Sequence, residues 1–318
     1  MKVTVIGCGR WGSFLAWYND HIGHKVTLYG PADTEHYQRF AQTRTNGLVT
    51  LNDSITLSCD IGCVHDADYI IISIGSQSLR GLMGELKDAG LAGKTVILCM
   101  KGIEVETGCR LSEIAEEFIG DKNEIAVWIG PGHVQEFTRG IPNCMVIDSR
   151  SDDVKHRLVD VFGSDLIRFY YGNDLIGNEI GAASKNVIGI AAGLLDGMGL
   201  STLKGALMSR GTREIARLIS AMGGSELSAY GLCHLGDYEA TVFSEFSHNR
   251  KFGELFARGE SYGELAEGVY TVKALMSLSE KYKVELPICE AVYNALYNDV
   301  PVREALAGLF GRSLKREF

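Results

Sequence analysis

A glycine-rich turn near the amino terminus has the residue types and spacing of a dinucleotide-binding turn. It spans residues 7–12, between a buried strand pattern and a stretch of helical periodicity. Gly7 would permit the tight turn, Gly9 would let the backbone approach a diphosphate, and Gly12 would let the helix pack on the strand. The amides of a helix start attract such anions, whereas the alternative is a strand–helix turn that binds nothing. The predicted cofactor-binding residues of this turn are Gly7, Gly9, Arg10, Trp11 and Gly12.

The choice between NAD and NADP stays open at this stage. An acidic residue at the end of the second strand is the usual marker of NAD, but residues 29–31 read Tyr-Gly-Pro. Asp33 and Glu35, just beyond, would suit the ribose hydroxyls of NAD, whereas Arg39 and Arg44 would suit a 2′-phosphate. The sequence therefore predicts NAD or NADP.

A lysine inside an apolar helix is the second candidate for chemistry. Residues 180–195 are apolar or small on nearly every face, with Lys185 and Asn186 near the centre. A buried cation needs a partner, a lowered pKa or a cavity, and a lysine with a pKa near neutrality can act as a general acid or base. The alternative is a lysine whose ammonium reaches the surface.

Further polar residues could meet this lysine or a ligand. Asp237 and Thr241 are four positions apart, which places them on one face if that stretch is helical. Residues 248–251 (HNRK) are rich in donors, although a short basic run is normally a solvated surface. Lys101 directly follows a buried strand pattern, and in this class of fold ligands bind where the strands end.

The elements that would position these residues divide the chain in two. Strand patterns separated by helix-sized intervals predict an α/β, doubly wound parallel sheet, a Rossmann-like domain, over residues 1–173. Residues 174–318 show helical periodicity and predict an all-α substrate and catalytic domain, with a ligand site in the cleft between the halves. The predicted strands cover residues 2–6, 25–29, 69–73, 95–99, 125–129, 145–147 and 166–170.

Composition narrows the function classes. The 318 residues are 46% hydrophobic and carry 31 basic against 40 acidic residues, a net charge of −9 that argues against a general nucleic-acid or anionic-membrane binder. No apolar run is long enough to span a bilayer, and eight scattered cysteines are typical of a reducing compartment, so we expect a cytoplasmic protein. The cluster Cys59, Cys63 and His65 lacks the ligands of a zinc site, and no metal is predicted.

Ordered motifs along the chain resemble NAD(P)-dependent glycerol-3-phosphate dehydrogenases of the bacterial type. They run nearly end to end and are densest in the second half. The matching segments are residues 76–80, 101–102, 130–131, 179–200, 209–214, 235–237, 249–253 and 267–274.

The resemblance implies interconversion of sn-glycerol 3-phosphate and dihydroxyacetone phosphate with NAD(P), for phospholipid synthesis, by a dimer. Lys185 looks like the general acid/base, Lys101 like a contact to substrate and nicotinamide, and Asp237 and Thr241 like orienting residues. Further cofactor contacts are implied for Ser76, Lys101, Val134 and Glu267. Substrate contacts are implied for Lys101, Gly130, Gly132, Asn186, Asp237, Ser247, His248, Asn249 and Arg250.

Three departures from the family pattern bear on the substrate. His248 replaces the first arginine of the phosphate-binding segment, where a bidentate, permanently charged group is usual. Gly132 and Val134 replace a serine and an alanine, and residues 46–49 replace a Tyr-Leu-Pro segment. Arg250 would compensate for the lost arginine; otherwise the substrate is another small alcohol or ketone, or the protein binds a dinucleotide without turnover.

Overall fold

The computed structural model describes residues 1–311 and 313, and the chain divides into two compact units. The first unit comprises Met1–Lys101 and Cys109–Leu175. The second comprises Gly102–Gly108 and the chain from Ile176 onward. The short segment after Lys101 therefore belongs with the helical unit, which the sequence did not indicate.

The first unit is built on one eight-stranded sheet, in the order β3-β2-β1-β4-β5-β6-β7-β8. The strands are β1 (Lys2–Ile6), β2 (Lys25–Tyr29), β3 (Thr56–Ser58), β4 (Tyr69–Ile72), β5 (Thr95–Leu98), β6 (Glu124–Ile129), β7 (Asn143–Ser149) and β8 (Ile167–Tyr171). All seven predicted runs form strands, and β3 is an additional edge strand of three residues. Five neighbouring pairs from β3 to β6 are parallel, as the buried, continuously apolar runs predicted.

The expectation of a wholly parallel sheet is wrong at one point. β7 pairs antiparallel with β6, and β8 is parallel to β7. A short helix and turn, rather than a full crossover, join β6 to β7, so the chain reverses direction. The carboxyl ends of β7 and β8 consequently lie at the sheet edge opposite to the loops that follow β1, β4, β5 and β6.

Helices cover the sheet and fill the core of the first unit. They are α1 (Arg10–His21), α2 (Glu35–Thr43), α3 (Leu79–Asp88), α4 (Leu111–Ile119), α5 (Val134–Phe137) and α6 (Asp152–Phe162). Phe14, Tyr18, Trp128 and Phe162 are completely or almost completely buried in one aromatic cluster. The Tyr18 hydroxyl donates to the carbonyl of Phe162, which satisfies the polar group inside this apolar core.

The second unit is helical and is organised around its longest helix. Its helices are α7 (Leu175–Gly197), α8 (Lys204–Ala221), α9 (His248–Ala257), α10 (Glu267–Tyr282), α11 (Pro287–Tyr297) and α12 (Val302–Phe310). α7 is buried without interruption from Glu179 to Leu195, as its all-round apolar composition predicted. None of the described helices is both long and apolar enough to cross a membrane.

A buried carboxylate fixes α8 against α11. Glu214 is 1% exposed, and its two oxygens accept from the backbone N–H groups of Ile288 (2.8 Å) and Cys289 (2.9 Å) in the first turn of α11. These amides have no partner within their own helix, so the side chain acts as a cap supplied from another helix. Burial, opposed by these hydrogen bonds, raises the pKa of Glu214 from 4.5 to about 7.

Candidate active site

The glycine turn between β1 and α1 has no room for side chains at two of its three glycines. Gly7 has φ +117°, and a Cβ there would lie 2.8 Å from the carbonyl carbon of Ser73. A Cβ at Gly12 would lie 3.0 Å from the carbonyl carbon of Gly7, while one at Gly9 would face open space. Arg10 and Trp11, both half-buried, begin α1. This arrangement leaves the start of α1 open to an anion at Gly9, which fits the diphosphate of a dinucleotide.

The candidate contacts to the cofactor ribose that follow β2 differ in their exposure and in the protein contacts of their side chains. Arg44 donates from its guanidinium to the carbonyls of Asn52 and Ile55, which secures a loop of the protein itself. Asp33, Glu35 and Arg39 are exposed. Arg39 is therefore better placed than Arg44 to meet a 2′-phosphate, and the acidic pair is equally accessible to ribose hydroxyls.

Three loops of the first unit follow parallel strands and share an edge with the glycine turn. Ser76 is buried after β4, and Lys101 follows β5. The ammonium of Lys101 donates to the carbonyl of Gly130, after β6, at 2.5 Å. Val134 is buried at the start of α5. The structure thus brings Lys101 and Gly130 into contact, and it places Ser76 and Val134 on loops of the same edge.

The glycine at position 132 has a local structural cause. Gly132 has φ +137°, and a Cβ there would overlap the ring of Phe137, lying 2.7 Å from its Cζ atom. Phe137 is 1% exposed and stacks on Phe14 with a centroid distance of 5.0 Å. A serine at position 132 would therefore collide with a fixed aromatic ring, so this departure from the family pattern follows from packing within the first unit.

In the second unit, Lys185 lies in the buried part of α7 with two polar partners. Its Nζ is 2.9 Å from Oδ2 of Asp237 and donates to Oγ1 of Thr241 at 2.8 Å. Lys185 is 8% exposed, and the two partners are each 1% exposed. The alternative of an ammonium at the surface is wrong. A buried ion pair with an added hydrogen bond is the arrangement that a lysine in an apolar helix requires.

Asp237 and Thr241 reach the same ammonium without being on a regular α-helix. Asp237 ends a 3₁₀ turn (Leu235–Asp237), and Thr241 lies in a π-helical turn (Glu239–Phe243). Both side chains nevertheless point to Lys185, as their four-residue spacing predicted. Single π-helical turns are frequent at functional sites, where they redirect side chains.

A row of glycines on α7 lets the segment that carries Asp237 and Thr241 approach this helix closely. Gly181, Gly189, Gly193 and Gly197 are spaced by multiples of four from Lys185 and therefore lie along one row that winds gradually around the helix. A Cβ at Gly189 would lie 2.8 Å from Cγ2 of Thr241. Similar conflicts with residues 234, 250 and 254 arise at the other three glycines. Close packing along this row brings parts of the chain between residues 234 and 254 against α7.

Two asparagines connect α7, α9 and α10 beside this row. Nδ2 of Asn249 donates to Oδ1 of Asn186 at 3.1 Å, and Oδ1 of Asn249 accepts from the backbone of Gly268 at 2.9 Å. Asn186 follows Lys185 directly, and Glu267 is the first residue of α10. The structure thus collects Asn186, Asn249 and Glu267 at one place in the second unit.

The donor-rich run at the start of α9 is mostly engaged within the protein. Ser247 caps α9 by accepting from the backbone of Arg250 at 3.3 Å. The Arg250 guanidinium pairs with Asp196 at 2.7 Å and donates to the carbonyl of Ser244 at 3.0 Å. Nδ1 of His248 is 2.5 Å from the hydroxyl of Tyr262. The run is half-buried, so the expectation of a solvated surface is wrong.

One buried residue near Lys185, His234, was not identified by the sequence analysis. His234 is completely buried, with Nδ1 2.8 Å from the carbonyl of Gly181 and Nε2 2.8 Å from the hydroxyl of Tyr238. Burial, together with the charge of Lys185, lowers the pKa of His234 to about 4, although the Gly181 carbonyl and Asp237 oppose this shift. A lone histidine within a turn-rich stretch carries no periodic signal, although the four-residue spacing of the glycines on α7 is typical of a helix with a close neighbour.

In the part of the chain that the structure describes, no three His, Cys, Asp or Glu side chains gather closely enough to hold an ion. Cys59 is exposed and Cys63 is half-buried, and both are free thiols. The groups assembled around Lys185 offer proton transfer and hydrogen bonding.

Comparison with known proteins agrees with this arrangement. Residues 2–155 match the model of the amino-terminal part of NAD-dependent glycerol-3-phosphate dehydrogenase, and residues 174–307 match that of its carboxyl-terminal part. Proteins named glycerol-3-phosphate dehydrogenase [NAD(P)+] from Prosthecochloris aestuarii and Chlorobium limicola are 36% and 34% identical; each alignment covers all of this chain and at least 99% of the relative.

A solved structure is similar over the same extent. The crystal structure of glycerol-3-phosphate dehydrogenase from Coxiella burnetii superposes with a TM-score of 0.92 at 26% identity. The superposition covers 98% of this chain and 99% of that one. Family models over both parts of the sequence, full-length relatives above 30% identity and the observed architecture agree. The chain therefore belongs to the NAD-dependent glycerol-3-phosphate dehydrogenase family.

Proposed function

We propose that the protein is an NAD(P)-dependent oxidoreductase that interconverts sn-glycerol 3-phosphate and dihydroxyacetone phosphate. The observation that carries the proposal is the buried ammonium of Lys185, held by Asp237 and Thr241 in a chain of this family. A ketone that receives hydride at carbon needs a proton at oxygen, and a lysine fixed in a water-poor environment is suited to deliver it.

The cofactor would be held mainly by the first unit. The open backbone at Gly9 and the start of α1 suit the diphosphate. The resemblance implies further contacts for Ser76, Lys101 and Val134, and also for Glu267 of the second unit. When bound, the nicotinamide supplies or accepts the hydride. Asp33 and Glu35 support NAD and Arg39 supports NADP, so either cofactor is expected to bind.

Lys185 would donate the proton in the reductive direction. Its N–H bond breaks as the O–H bond of the new alcohol forms, and the resulting amine regains a proton from water afterwards. Asp237 and Thr241 orient the ammonium through the two contacts described, and Asn186 would bind the substrate from the next position of α7. The resemblance implies further substrate contacts for Lys101, Gly130 and Gly132.

The phosphate of the substrate would bind at the amino terminus of α9. Residues 247–250 stand there, and a helix of ten residues presents backbone amides and a partial positive charge at its start. Asn249 adds a side-chain amide, and His248 adds an imidazole. Because the guanidinium of Arg250 is committed to Asp196, we expect Arg250 to contribute through its place in the helix and through overall charge.

A cofactor-oxidation assay with purified protein tests the proposal. Dihydroxyacetone phosphate should cause loss of the absorbance of NADH or NADPH, and dihydroxyacetone, the same ketone without phosphate, should give at least about a hundredfold lower kcat/KM. Oxidation with other ketones alone would place the protein among related dehydrogenases with a different substrate. Cofactor binding without turnover of any ketone would overturn the enzymatic proposal.

A further inference from the structure

His234 joins two turns that carry the proposed catalytic groups, one through its side chain and the other through its backbone carbonyl. Its Nδ1 lies 2.8 Å from the carbonyl of Gly181, and a Cβ at Gly181 would lie 3.0 Å from Cβ of His234. The carbonyl of His234 accepts from the backbone N–H of Asp237 at 3.0 Å. One residue therefore contacts both α7 and the 3₁₀ turn that ends at Asp237.

The hydrogen-bond partners of the His234 imidazole determine which ring nitrogen carries the proton. A carbonyl oxygen only accepts, so Nδ1 must carry the hydrogen that bonds Gly181. In the neutral ring Nε2 is then an acceptor, and the hydroxyl of Tyr238, at 2.8 Å, donates to it. The same hydroxyl is 3.5 Å from Oγ1 of Thr212 on α8. His234 is thus a neutral connector, with one nitrogen toward α7 and the other toward α8 through Tyr238.

The bond to Gly181 acts on the helical turn that holds Lys185. In an α-helix the carbonyl of residue i accepts from the N–H of residue i+4, so the carbonyl of Gly181 also accepts a hydrogen bond from the backbone N–H of Lys185. A displacement of this carbonyl would rotate the helical turn and shift the Cα and Cβ atoms of Lys185. A displacement of about 1 Å at a reacting group is enough to slow a reaction strongly.

We propose that His234 is a positioning residue: its Nδ1–H, bonded to the carbonyl of Gly181, sets the place of Lys185 relative to Asp237. The proposal rests on the proposed role of Lys185 as proton donor. In this proposal His234 acts through α7 and the turn at Asp237.

Three variants separate the two hydrogen bonds of the ring. His234→Leu removes both, His234→Asn keeps an N–H at the place of Nδ1, and Tyr238→Phe removes only the partner of Nε2. We expect His234→Leu to lower kcat at least about tenfold, with KM for dihydroxyacetone phosphate and the Kd of the cofactor within about twofold of wild type. His234→Asn and Tyr238→Phe should each keep kcat within about threefold of wild type.

The melting temperature of each variant shows whether it folds. Tyr18→Phe is the matched control for Tyr238→Phe, because it removes a buried tyrosine hydroxyl in the other unit. If His234→Leu does not fold, the proposal is tested by comparing kcat of His234→Asn with kcat of Tyr238→Phe. A larger loss of kcat in His234→Asn than in Tyr238→Phe, or a rise in KM at constant kcat, would overturn the proposal.

Two measurements remain decisive even if the wild type turns over no ketone. Nitrogen NMR of histidine-labelled protein should show His234 as a neutral ring with the proton on Nδ1, and a proton on Nε2 would contradict the inference. In the second measurement lysines are acylated briefly and the products are quantified by mass spectrometry. The extent of acylation of Lys185 should differ from wild type at least about threefold in His234→Leu but not in His234→Asn. Lys94, in the first unit, is the internal reference; equal labelling of Lys185 in all forms would also contradict it.

Discussion

Replacing Gly193 by alanine tests the close contact between α7 and α9. A Cβ at this position would overlap the carbonyl oxygen of Arg250 and lie 2.7 Å from the backbone nitrogen of Glu254. Both atoms belong to the backbone of α9, so no side-chain rotation relieves the conflict. The helices would have to separate by about 1 Å to restore ordinary van der Waals distances.

The magnitude follows from two opposing effects. Overpacking of a buried contact costs about 1–3 kcal/mol, or more where backbone must move, whereas glycine to alanine within a helix gains up to about 1 kcal/mol. Because the conflict is with backbone, we take a net loss of about 1–2 kcal/mol, which for a unit of this size corresponds to a fall in Tm of about 2–8 °C. Gly205→Ala is the matched control, because Gly205 is an exposed residue of α8 with open space around its Cβ position. We expect it to raise Tm slightly.

Thermal unfolding followed by far-ultraviolet circular dichroism measures this difference, since helices dominate that signal. The same displacement would carry Asn249 away from Asn186, so kcat/KM for dihydroxyacetone phosphate should fall at least about tenfold in Gly193→Ala alone. If Gly193→Ala were as stable as Gly205→Ala and as active as wild type, the packing of α9 on the glycine row would be refuted.

Three further predictions address the cofactor, the phosphate and the buried carboxylate. Gly12→Val should collide with the backbone of Gly7 and raise the Kd of the cofactor at least about tenfold, measured by fluorescence titration, in a protein that still folds; unchanged affinity would contradict the glycine-turn assignment. His248→Arg should lower KM for dihydroxyacetone phosphate about tenfold, as expected for a new charged hydrogen bond, and an unchanged KM would mean that this side chain points away from the phosphate. Glu214 keeps its proton up to about pH 7 in the folded state but loses it near 4.5 when unfolded, so the free energy of unfolding should fall as pH rises from 4.5 to 7, by about 3 kcal/mol. Urea titrations at both ends of that range should show this slope in wild type and not in Glu214→Gln; an equal slope in both would contradict the raised pKa.

The sheet and the helical unit could be predicted because burial leaves a periodic signal. Continuous apolar runs located seven of the eight strands, and the all-apolar surface of α7 located the central helix. The reversal at β7 could not be predicted, since its residues alternate no differently from those of a parallel strand; only the short connection from β6 specifies it. β3 has three residues and stands at the edge, which is too short for a pattern.

The candidate site was predictable where polar residues interrupt an apolar pattern. Lys185 stands out in its helix, and Asp237 and Thr241 follow from their spacing, although the turns that carry them are not α-helical. The engagement of Arg250 by Asp196 and the connection through His234 depend on tertiary contacts between distant segments. The cause of Gly132 was likewise invisible, because Phe137 excludes a side chain only after the loop has folded.

The proton donor assigned to Lys185 is tested most directly by kcat of Lys185→Met with dihydroxyacetone phosphate and saturating cofactor. Lys94→Met is the matched control, since Lys94 also donates to protein atoms, the carbonyls of His65 and Ala67, but lies in the first unit away from the proposed site. We predict that kcat falls at least about a thousandfold in Lys185→Met, with the Kd of the cofactor within about threefold of wild type, and that Lys94→Met keeps its rate. A Lys185→Met enzyme that retained more than about a tenth of the wild-type kcat would contradict the account.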